Sequence, residues 1–309
     1  MNYPDTLIAQ AAQFSPTSFL HKLHNSLGSE LLLNLETDFK KGNIALFSDD
    51  ENQTTVYYRH LQWDSEYFGV PTYRIELMCS ESIAKPAIDS YRKCINSLSL
   101  KLKEAHGSAY LFAEIPSEAI FPIQALCLSE WRLVETRLTY YTDQIQSYNY
   151  PKRFPVRDAT LADIENLKST AMKSRNDFDR FHADYFFSEQ IADKFLATFV
   201  ENSVRGFADI TLVPNPDENS ADAFLTANLL PANPSIPDKS SARMILSAVG
   251  EKRRGWYVKL ISEMSYIFKD KGIDVAFMTT QSTNKAVIRT WEKLGYSYGK
   301  SSHVFVKVI

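Results

Sequence analysis

What this chain of 309 residues has little of narrows it first. No window approaches the roughly 20 consecutive apolar residues that a bilayer-spanning helix needs, so no membrane segment is expected. Its three cysteines, Cys79, Cys94 and Cys127, are odd in number, far apart and set among apolar neighbours. That reads as small core residues rather than disulfides or ligands. The six histidines share no metal-ligand spacing with them, so no structural metal is expected. Net charge is also scarce. The 34 basic residues against 37 acidic ones leave too little of either sign for a general binder of nucleic acid or of anionic membrane. Low-complexity segments and short repeats are missing. The start, from Met1 to Asp5, lacks a basic leader followed by an apolar stretch and a small-residue cleavage site. Secretion is therefore not expected, and the cytoplasm is.

What is present is the composition of a globular protein, 44% hydrophobic and 13% aromatic. A chain this long exceeds one comfortable core and fits two domains. Residues 1 to about 45 carry helical apolar spacing through Phe19, Leu20, Leu23 and Leu27, then Leu31, Leu32 and Leu33, which suggests a helical cap on the first domain. Strands are expected at 44–47 and 56–58 around a polar hairpin connection at 49–53, and again at 73–77. Ile88, Tyr91, Ile95, Leu98 and Leu102 recur at helical spacing, so 86–105 reads as an amphipathic helix. A strand at 109–115, a short helix at 118–129 and a strand pair near 131–144 complete an α/β unit. Pro151 and Pro155 break pairing in 147–155, which places the linker there and divides the chain into domains at 1–150 and 151–309.

In the second half, Thr160 followed by Asp163 is a capping-box variant opening a helix with Leu161, Ile164, Leu167 and Ala171 inward. Ser188 caps the next helix, which carries Ile191, Phe195 and Phe199. Strands near 206–212, 223–229 and 242–249 follow, joined by Pro/Asn/Asp-rich connections at 213–222 and 231–241. A helix from Arg254 to about Lys269 puts Tyr257, Leu260, Ile261, Met264, Ile267 and Phe268 on one face. After an apolar strand at 274–279, a helix from Asn284 to Leu294 aligns Val287, Trp291 and Leu294 and stops at Gly295. A strand at 303–309 closes the sheet, and both halves can share one architecture.

The junction at 249–257 carries the most chemistry. Val249 ends an apolar strand, and Gly250, Lys252, Arg253, Arg254 and Gly255 lead into a helix at Trp256 and Tyr257. A strand that stops at a basic, glycine-containing turn leaves the first amides of the next helix unpaired. Those amides, their partial positive charge and the neighbouring cations make an anion site suited to a pyrophosphate.

The order strand, two helices, three antiparallel strands, basic helix start, strand, Asn-bearing helix and strand resembles the GNAT acyltransferase superfamily. That resemblance implies an α/β fold with a mixed, largely antiparallel sheet flanked by helices, here preceded by a smaller α/β N-terminal domain that can itself be GNAT-like. Residues 61–70, 179–184 and 200–206 are similar to segments of the bacterial dTDP-4-amino-4,6-dideoxygalactose (dTDP-fucosamine) acetyltransferases, and the resemblance covers roughly 55–309. It implies acyl-coenzyme A, acetyl or 3-hydroxybutanoyl, as co-substrate at Val249, Lys252, Arg253, Arg254, Gly255, Trp256, Tyr257, Asn284 and Trp291. It also implies a dTDP-linked amino-dideoxyhexose acceptor, aminated at C3 or C4, whose product feeds a surface polysaccharide such as the O-antigen of lipopolysaccharide. Arg180, His182, Asn202 and Arg205 are the implied contacts of diphosphate or sugar hydroxyls, while Trp63, Tyr67 and Phe68 wall the deoxysugar or stack on thymine. The acceptor is expected between the two domains. In this fold the strand at 244–249 splays from the one at 275–278, so Leu246 and Ser247 are candidates to contact pantetheine and the thioester oxygen.

Two positions depart from the superfamily pattern. Its basic loop begins with Gln or Arg and ends on a small residue. Here Lys252 and Tyr257 hold those places, with Gly255 kept between them. The resembled enzymes place a tyrosine seven residues after the asparagine to protonate the leaving thiolate, and Asn284 plus seven is Trp291. An indole donates a hydrogen bond but does not release its proton near neutrality, so another residue or water must handle protons. No Glu or Asp lies on 244–249, so the common strand carboxylate base is missing. An amine beside sugar oxygens is less basic than lysine, and water can serve. Acetyl is the family default, and the replacements open the way to a longer acyl group.

Other readings stay open. A run of basic residues is commonly a solvated helix start, and Asn is a favoured helix cap. Trp291, Val287 and Leu294 form a core stripe first, and Trp63, Tyr67 and Phe68 are equally readable as core. His182 and His303 are readable as structural histidines. Two other functions are compatible with the motifs: a GNAT acylating protein or peptide amines through an open groove, and a non-catalytic acyl-coenzyme A binder.

Overall fold

The computed structural model describes residues 3–20, 24–49, 54–82, 84–85, 87–215, 221–230 and 240–309. Most of the connections expected at 49–53, 213–222 and 231–241 therefore lies outside the described residues. The chain divides into two compact units, Met1–Arg137 with Lys300–Ile309 and Leu138–Gly299.

The first unit opens with helices α1 (Asp5–Phe14) and α2 (His24–Lys40), as the helical spacing suggested. There follow β1 (Ala45–Asp49), β2 (Thr54–His60), α3 (Gln62–Phe68), β3 (Thr72–Ser80), α4 (Ala87–His106), β4 (Tyr110–Pro116), α5 (Ile120–Leu128) and β5 (Arg132–Thr142). The strand pair expected near 131–144 is one long strand, since no Gly, Pro, Asn or Asp interrupts β5 to turn it. β2 pairs antiparallel with β1 and β3, and β3 runs parallel to β4. The final strand of the chain returns antiparallel to β4. α4 buries Tyr91, Cys94, Ile95, Leu98 and Leu102 against these strands. Each of its aliphatic side chains stabilises the unit by about 1.5–3 kcal/mol.

The β3–β4 ladder extends only from Thr72↔Tyr110 to Ile75↔Ala113, although β3 runs on to Ser80. Beyond that point α1 covers β3. The Gln10 carboxamide donates to the Ser80 carbonyl at 2.7 Å and accepts from the Ser80 N–H at 3.0 Å, and the Tyr91 hydroxyl donates to its oxygen at 2.6 Å. Leu77, Met78, Cys79 and Ser80 are consequently all buried.

The second unit holds the remainder of β5, then β6 (Val156–Asp158), α6 (Ile164–Lys173), α7 (Arg180–Ala183), α8 (Glu189–Asn202), β7 (Ile210–Pro214) and β8 (Ala223–Leu230). After these come β9 (Ser241–Val249), α9 (Trp256–Asp270), β10 (Val275–Gln281), α10 (Lys285–Lys293) and β11 (Ser297–Val308), the last crossing into the first unit. Its strands run in the order β10-β9-β8-β7-β6, antiparallel except for the β9–β10 pair. This is the mixed, largely antiparallel sheet the sequence suggested. α9 and α10 pack Leu260, Ile261, Met264, Phe268, Trp291 and Leu294 with Met244 and Met278. α6 and α8 pack Leu167, Ala171 and Val200 with Val213, Phe224 and Ala248. Met244 and Ala248 belong to different clusters although both lie on β9, because the bulge described below shifts the alternation of side chains along that strand.

Local signals were realised where short-range geometry decides them. The Asp163 carboxylate accepts from the Thr160 N–H at 2.8 Å, and Ser188 caps α8. Arg157 forks onto Asp163 at 2.7 and 2.8 Å, which with these bonds holds its carboxyl down to about 2. Facing was less legible. Leu161 and Ile191 are exposed, and α8 instead buries Ala192, Ala197 and Val200. Its Phe195 and Phe199 lie half-buried against Phe181 and Phe207.

The division of the chain falls before the segment 147–155 expected as the linker. That segment is tied to α9. Buried Glu263 accepts from the Phe154 N–H at 2.7 Å and from Arg153 Nε at 3.0 Å, and the Tyr150 N–H donates to the Tyr266 hydroxyl at 2.8 Å. Glu263→Ala should lower stability by about 1.5–3 kcal/mol in urea denaturation, because a buried charged acceptor is removed from the half-buried Phe154 amide. Arg153→Ala should cost less, since the Arg153 side chain is 62% exposed against 2% for Glu263.

Candidate active site

An opening in the second unit originates in strand pairing. β9 and β10 pair from Val275↔Ser241 to Met278↔Met244, yet β9 continues to Val249 and β10 to Gln281. On its other side β9 stays with β8 through a bulge. Leu225 faces Ser247 while Ala227 faces Met244, so β9 carries an extra residue at Ile245 and Leu246. Thr226 fixes that bulge, its hydroxyl accepting from the Leu246 N–H at 3.0 Å and donating to the Leu246 carbonyl at 3.2 Å. Leu246 is thereby committed within the sheet, which removes the amide expected to meet a thioester oxygen. Ile245, Leu246, Ser247 and Val249 keep partial exposure.

The basic turn follows. The Val249 carbonyl accepts from the Ser174 hydroxyl at 3.1 Å. The Gly250 N–H donates to the Asp222 carbonyl at 2.7 Å, and a Cβ on Gly250 would stand 2.9 Å from that oxygen, so a side chain there would force the turn apart. Arg253 turns back to Asp222, its Nε donating to the carboxylate at 2.9 Å, and braces the turn. Lys252 and Arg254 are exposed and make no ion pair among the described residues. Gly255 lies in the left-handed region at φ 86 and precedes α9 without a side-chain cap. The first amides of α9, on Trp256, Tyr257 and Val258, therefore stand uncapped beside two cations, a donor set that fits a diphosphate.

Three side chains from three elements meet next to this turn. Trp291 of α10 is buried and donates its indole N–H to the Tyr257 hydroxyl at 2.9 Å. The Ser247 hydroxyl lies close to the same oxygen. Burial pushes the Tyr257 phenol well above its usual range, while the bond from Trp291 and the nearby Ser247 hydroxyl pull the other way. Asn284 caps α10, accepting from the Val287 N–H at 3.4 Å, and donates to the Thr280 hydroxyl at 3.2 Å.

The expected acceptor residues are distributed differently. Trp63, Tyr67 and Phe68 belong to the first unit, on a helix with no buried residue. Trp63, 43% exposed, stacks on Tyr67 at 5.2 Å, and the Tyr67 ring meets Phe68 edge-on at 5.0 Å, a surface stack rather than core. Arg180 is buried with its guanidinium 4.3 Å from the Phe181 ring centre. His182 spends both ring nitrogens inside the protein, on Asp179 at 2.8 Å and Asp193 at 3.2 Å, which leaves none for a sugar or diphosphate. Burial acts to lower its pKa, but the bonds to the two carboxylates carry it above the ordinary value. Asn202 ends α8 half-buried, and Arg205 pairs with Glu201 at 2.9 Å. Sequence reasoning passed over Thr226, Asp222 and Ser174, whose roles rest on distant partners that leave no local signal. It also passed over exposed Phe178 and Tyr185, which flank α7, the first in the connection whose Asn176 bonds Gln281 at the end of β10. Among the described residues, no group of three or more His, Cys, Asp or Glu is placed to hold a metal ion. No described helix is long and apolar enough to cross a membrane.

The fold is that of the GCN5-related N-acetyltransferases. The chain is similar in structure to the GCN5-related N-acetyltransferase of Sphaerobacter thermophilus over 99% of its length and 94% of that chain, with TM-score 0.55 and 10% identity. For the enzyme of Kribbella flavida the coverage is 90% and 93%, with TM-score 0.53 and 13% identity. A glucosamine N-acetyltransferase region in a fungal multi-domain GH3 β-N-acetylglucosaminidase matches 82% of this chain and 31% of its own, with TM-score 0.55 and 12% identity. No protein-family profile matches the chain, and neither does any curated protein sequence.

Two measurements probe these assignments. Arg254→Ala should weaken coenzyme A binding roughly ten-fold by calorimetry through loss of a charge-assisted contact, with Tm unchanged. Arg253→Ala should instead lower Tm. For His182 the folded pKa lies above the ordinary 6.5. Its stabilising contribution is thus complete below that value and is lost as pH rises through the folded pKa. His182→Gln should flatten the fall of stability as pH rises above 6.5 in urea titrations.

Proposed function

We propose that the chain is an N-acyltransferase that moves an acyl group from coenzyme A to the amine of a dTDP-linked amino-dideoxyhexose, aminated at C3 or C4, for surface polysaccharide synthesis. The observation that carries this reading is the end of the β9–β10 ladder at Met244 and Met278 next to the uncapped start of α9. Lys252, Arg254 and the α9 amides have the chemistry to hold the diphosphate of the carrier. The stretch of β9 past Met244 offers peptide groups to the amides of its pantetheine arm. With Leu246 committed to Thr226, Ser247 remains as the strand residue beside the thioester.

Transfer from a thioester to an amine is chemically downhill, so the protein mainly has to align a neutral amine with the carbonyl and polarise its oxygen. A sugar amine flanked by electron-withdrawing oxygens supplies a neutral nucleophile more readily than lysine does, which suits a β9 strand with no Asp or Glu. The exposed Trp63–Tyr67 stack is a flat aromatic face of the kind on which a thymine ring packs. Acyl transfer to a sugar amine also has a parallel in the fungal glucosamine N-acetyltransferase region that shares the fold.

The test incubates the full chain with acetyl-coenzyme A or 3-hydroxybutanoyl-coenzyme A and with dTDP-4-amino-4,6-dideoxygalactose or its 3-amino counterpart, and follows thiol release. Sugar-dependent release with one pair identifies acyl group and ring position together. Coenzyme A binding without sugar-dependent release for any pair rejects the reading.

A further inference from the structure

Both parted strands are fastened to one short stretch of chain, the connection from α6 to α7. The Ser174 hydroxyl donates to the carbonyl of Val249, where β9 ends, and the Asn176 carboxamide donates to Gln281 Oε1 at 2.6 Å, where β10 ends. The same carboxamide accepts from the Phe178 N–H at 3.1 Å, and the Asn176 carbonyl accepts from the Asp179 N–H at 3.1 Å. Asp179 in turn caps α7 through the N–H groups of Phe181 and His182 and binds His182 Nδ1 at 2.8 Å. A line of hydrogen bonds thus runs from the end of β10 to an imidazole whose side chain is only 2% exposed, all of it within the second unit.

His182 joins this connection to α8. Its Nε2 lies 3.2 Å from Asp193 Oδ1, and the Asp193 carboxylate is held independently by Arg175 Nη1 at 2.8 Å. Both ring nitrogens therefore face oxygens that, when ionised, only accept. The imidazolium has an N–H for each of them. A neutral ring has one, and its other nitrogen presents a lone pair, so loss of the proton turns one contact from attraction to repulsion. The longer contact, to Asp193, is the one that yields, because Arg175 keeps that carboxylate where it is. The other charges around the ring are Asp177 and Glu189, which pair with Arg175 at 3.0 and 3.2 Å, Arg180 against the Phe181 ring, and Asp184, which accepts from the Phe186 N–H. Burial and Arg175 work against the imidazolium, and the bonds to Asp179 and Asp193 outweigh them.

We propose that His182 is a proton-operated latch: as imidazolium it clamps α7 to α8 and holds the connection bound to both parted strands in the form that receives the acyl carrier, and on losing its proton it lets that connection loosen. The coupling to the carrier rests on the acyl-transfer reading above, whereas the latch itself does not. His182 is a positioning residue here, acting through Asp179 and Asn176 on the ends of β9 and β10. The carrier site is accordingly firmest in acid and slackens as pH rises.

Hydrogen exchange of the full chain without ligand, followed by mass spectrometry over residues 174–187 and corrected for the chemical exchange rate, reads the latch. Protection of wild type should fall roughly ten-fold between about pH 5.5 and about pH 8.5. His182→Gln has no proton to lose in this range and should show the same protection at both. Asp193→Asn should stay protected at both, because a carboxamide accepts from the charged ring and donates to the lone pair of the neutral one. Dephospho-coenzyme A, whose diphosphate keeps its charge over this range, should bind wild type roughly three- to ten-fold more weakly at the higher pH by calorimetry, and Asp193→Asn less than about two-fold more weakly. Wild-type protection that does not change with pH, or an Asp193→Asn chain that loosens as wild type does, overturns the latch and leaves the acyl-transfer reading standing. Affinity that holds while protection falls overturns the coupling to the carrier. A chain that binds no coenzyme A at any pH overturns the acyl-transfer reading and the coupling with it, while exchange still decides the latch.

Discussion

The second unit is organised around a ladder that stops. Parallel strands usually stay together until one ends, but β9 and β10 part after Met244 and Met278 with residues of both still to run. The cause lies on the opposite side of β9, where the Thr226 hydroxyl holds both backbone groups of Leu246 and stabilises an inserted residue. A bulge bends its strand and increases its twist, and here it begins at the residue where pairing with β10 is lost. Asp222 and Ser174 then secure the strand end through Gly250 and Val249, so the basic turn and the start of α9 occupy a fixed position.

Much of this was legible in the sequence, for reasons that also mark its limit. Helical spacing located α4, α9 and α10, because a stripe at 3.6 residues is a local property. The Thr160–Asp163 box, the Ser188 cap, the Asn284 cap and the uncapped Gly255 start were readable because their partners lie within a turn. Contacts set by tertiary register were not. The bond from Arg253 to Asp222 leaves no local mark, and His182 reads as a sugar contact until both its nitrogens are accounted for. The segment 147–155 has the prolines of a linker, yet Glu263, more than a hundred residues away, binds its backbone.

Tyr257 and Trp291 show how two local departures become one arrangement. Read singly, a bulky residue at a place for a small one and an indole at a place for a phenol each look like a loss. In the folded chain they are hydrogen-bonded partners, each filling the space and meeting the polar group that the other presents. The pairing joins residues 34 apart in sequence, a separation at which no spacing rule operates.

The order strand, helix, strand, helix, strand occurs in the first unit as well, where the β3–β4 ladder also ends early. There the Gln10 carboxamide has already taken the N–H and the carbonyl of Ser80. Because that amide is tethered to the same polypeptide, it acts at an effective concentration of roughly millimolar order. Both units thus carry a parallel ladder that ends early, and in the first the chain's own N-terminal helix satisfies the strand end left over.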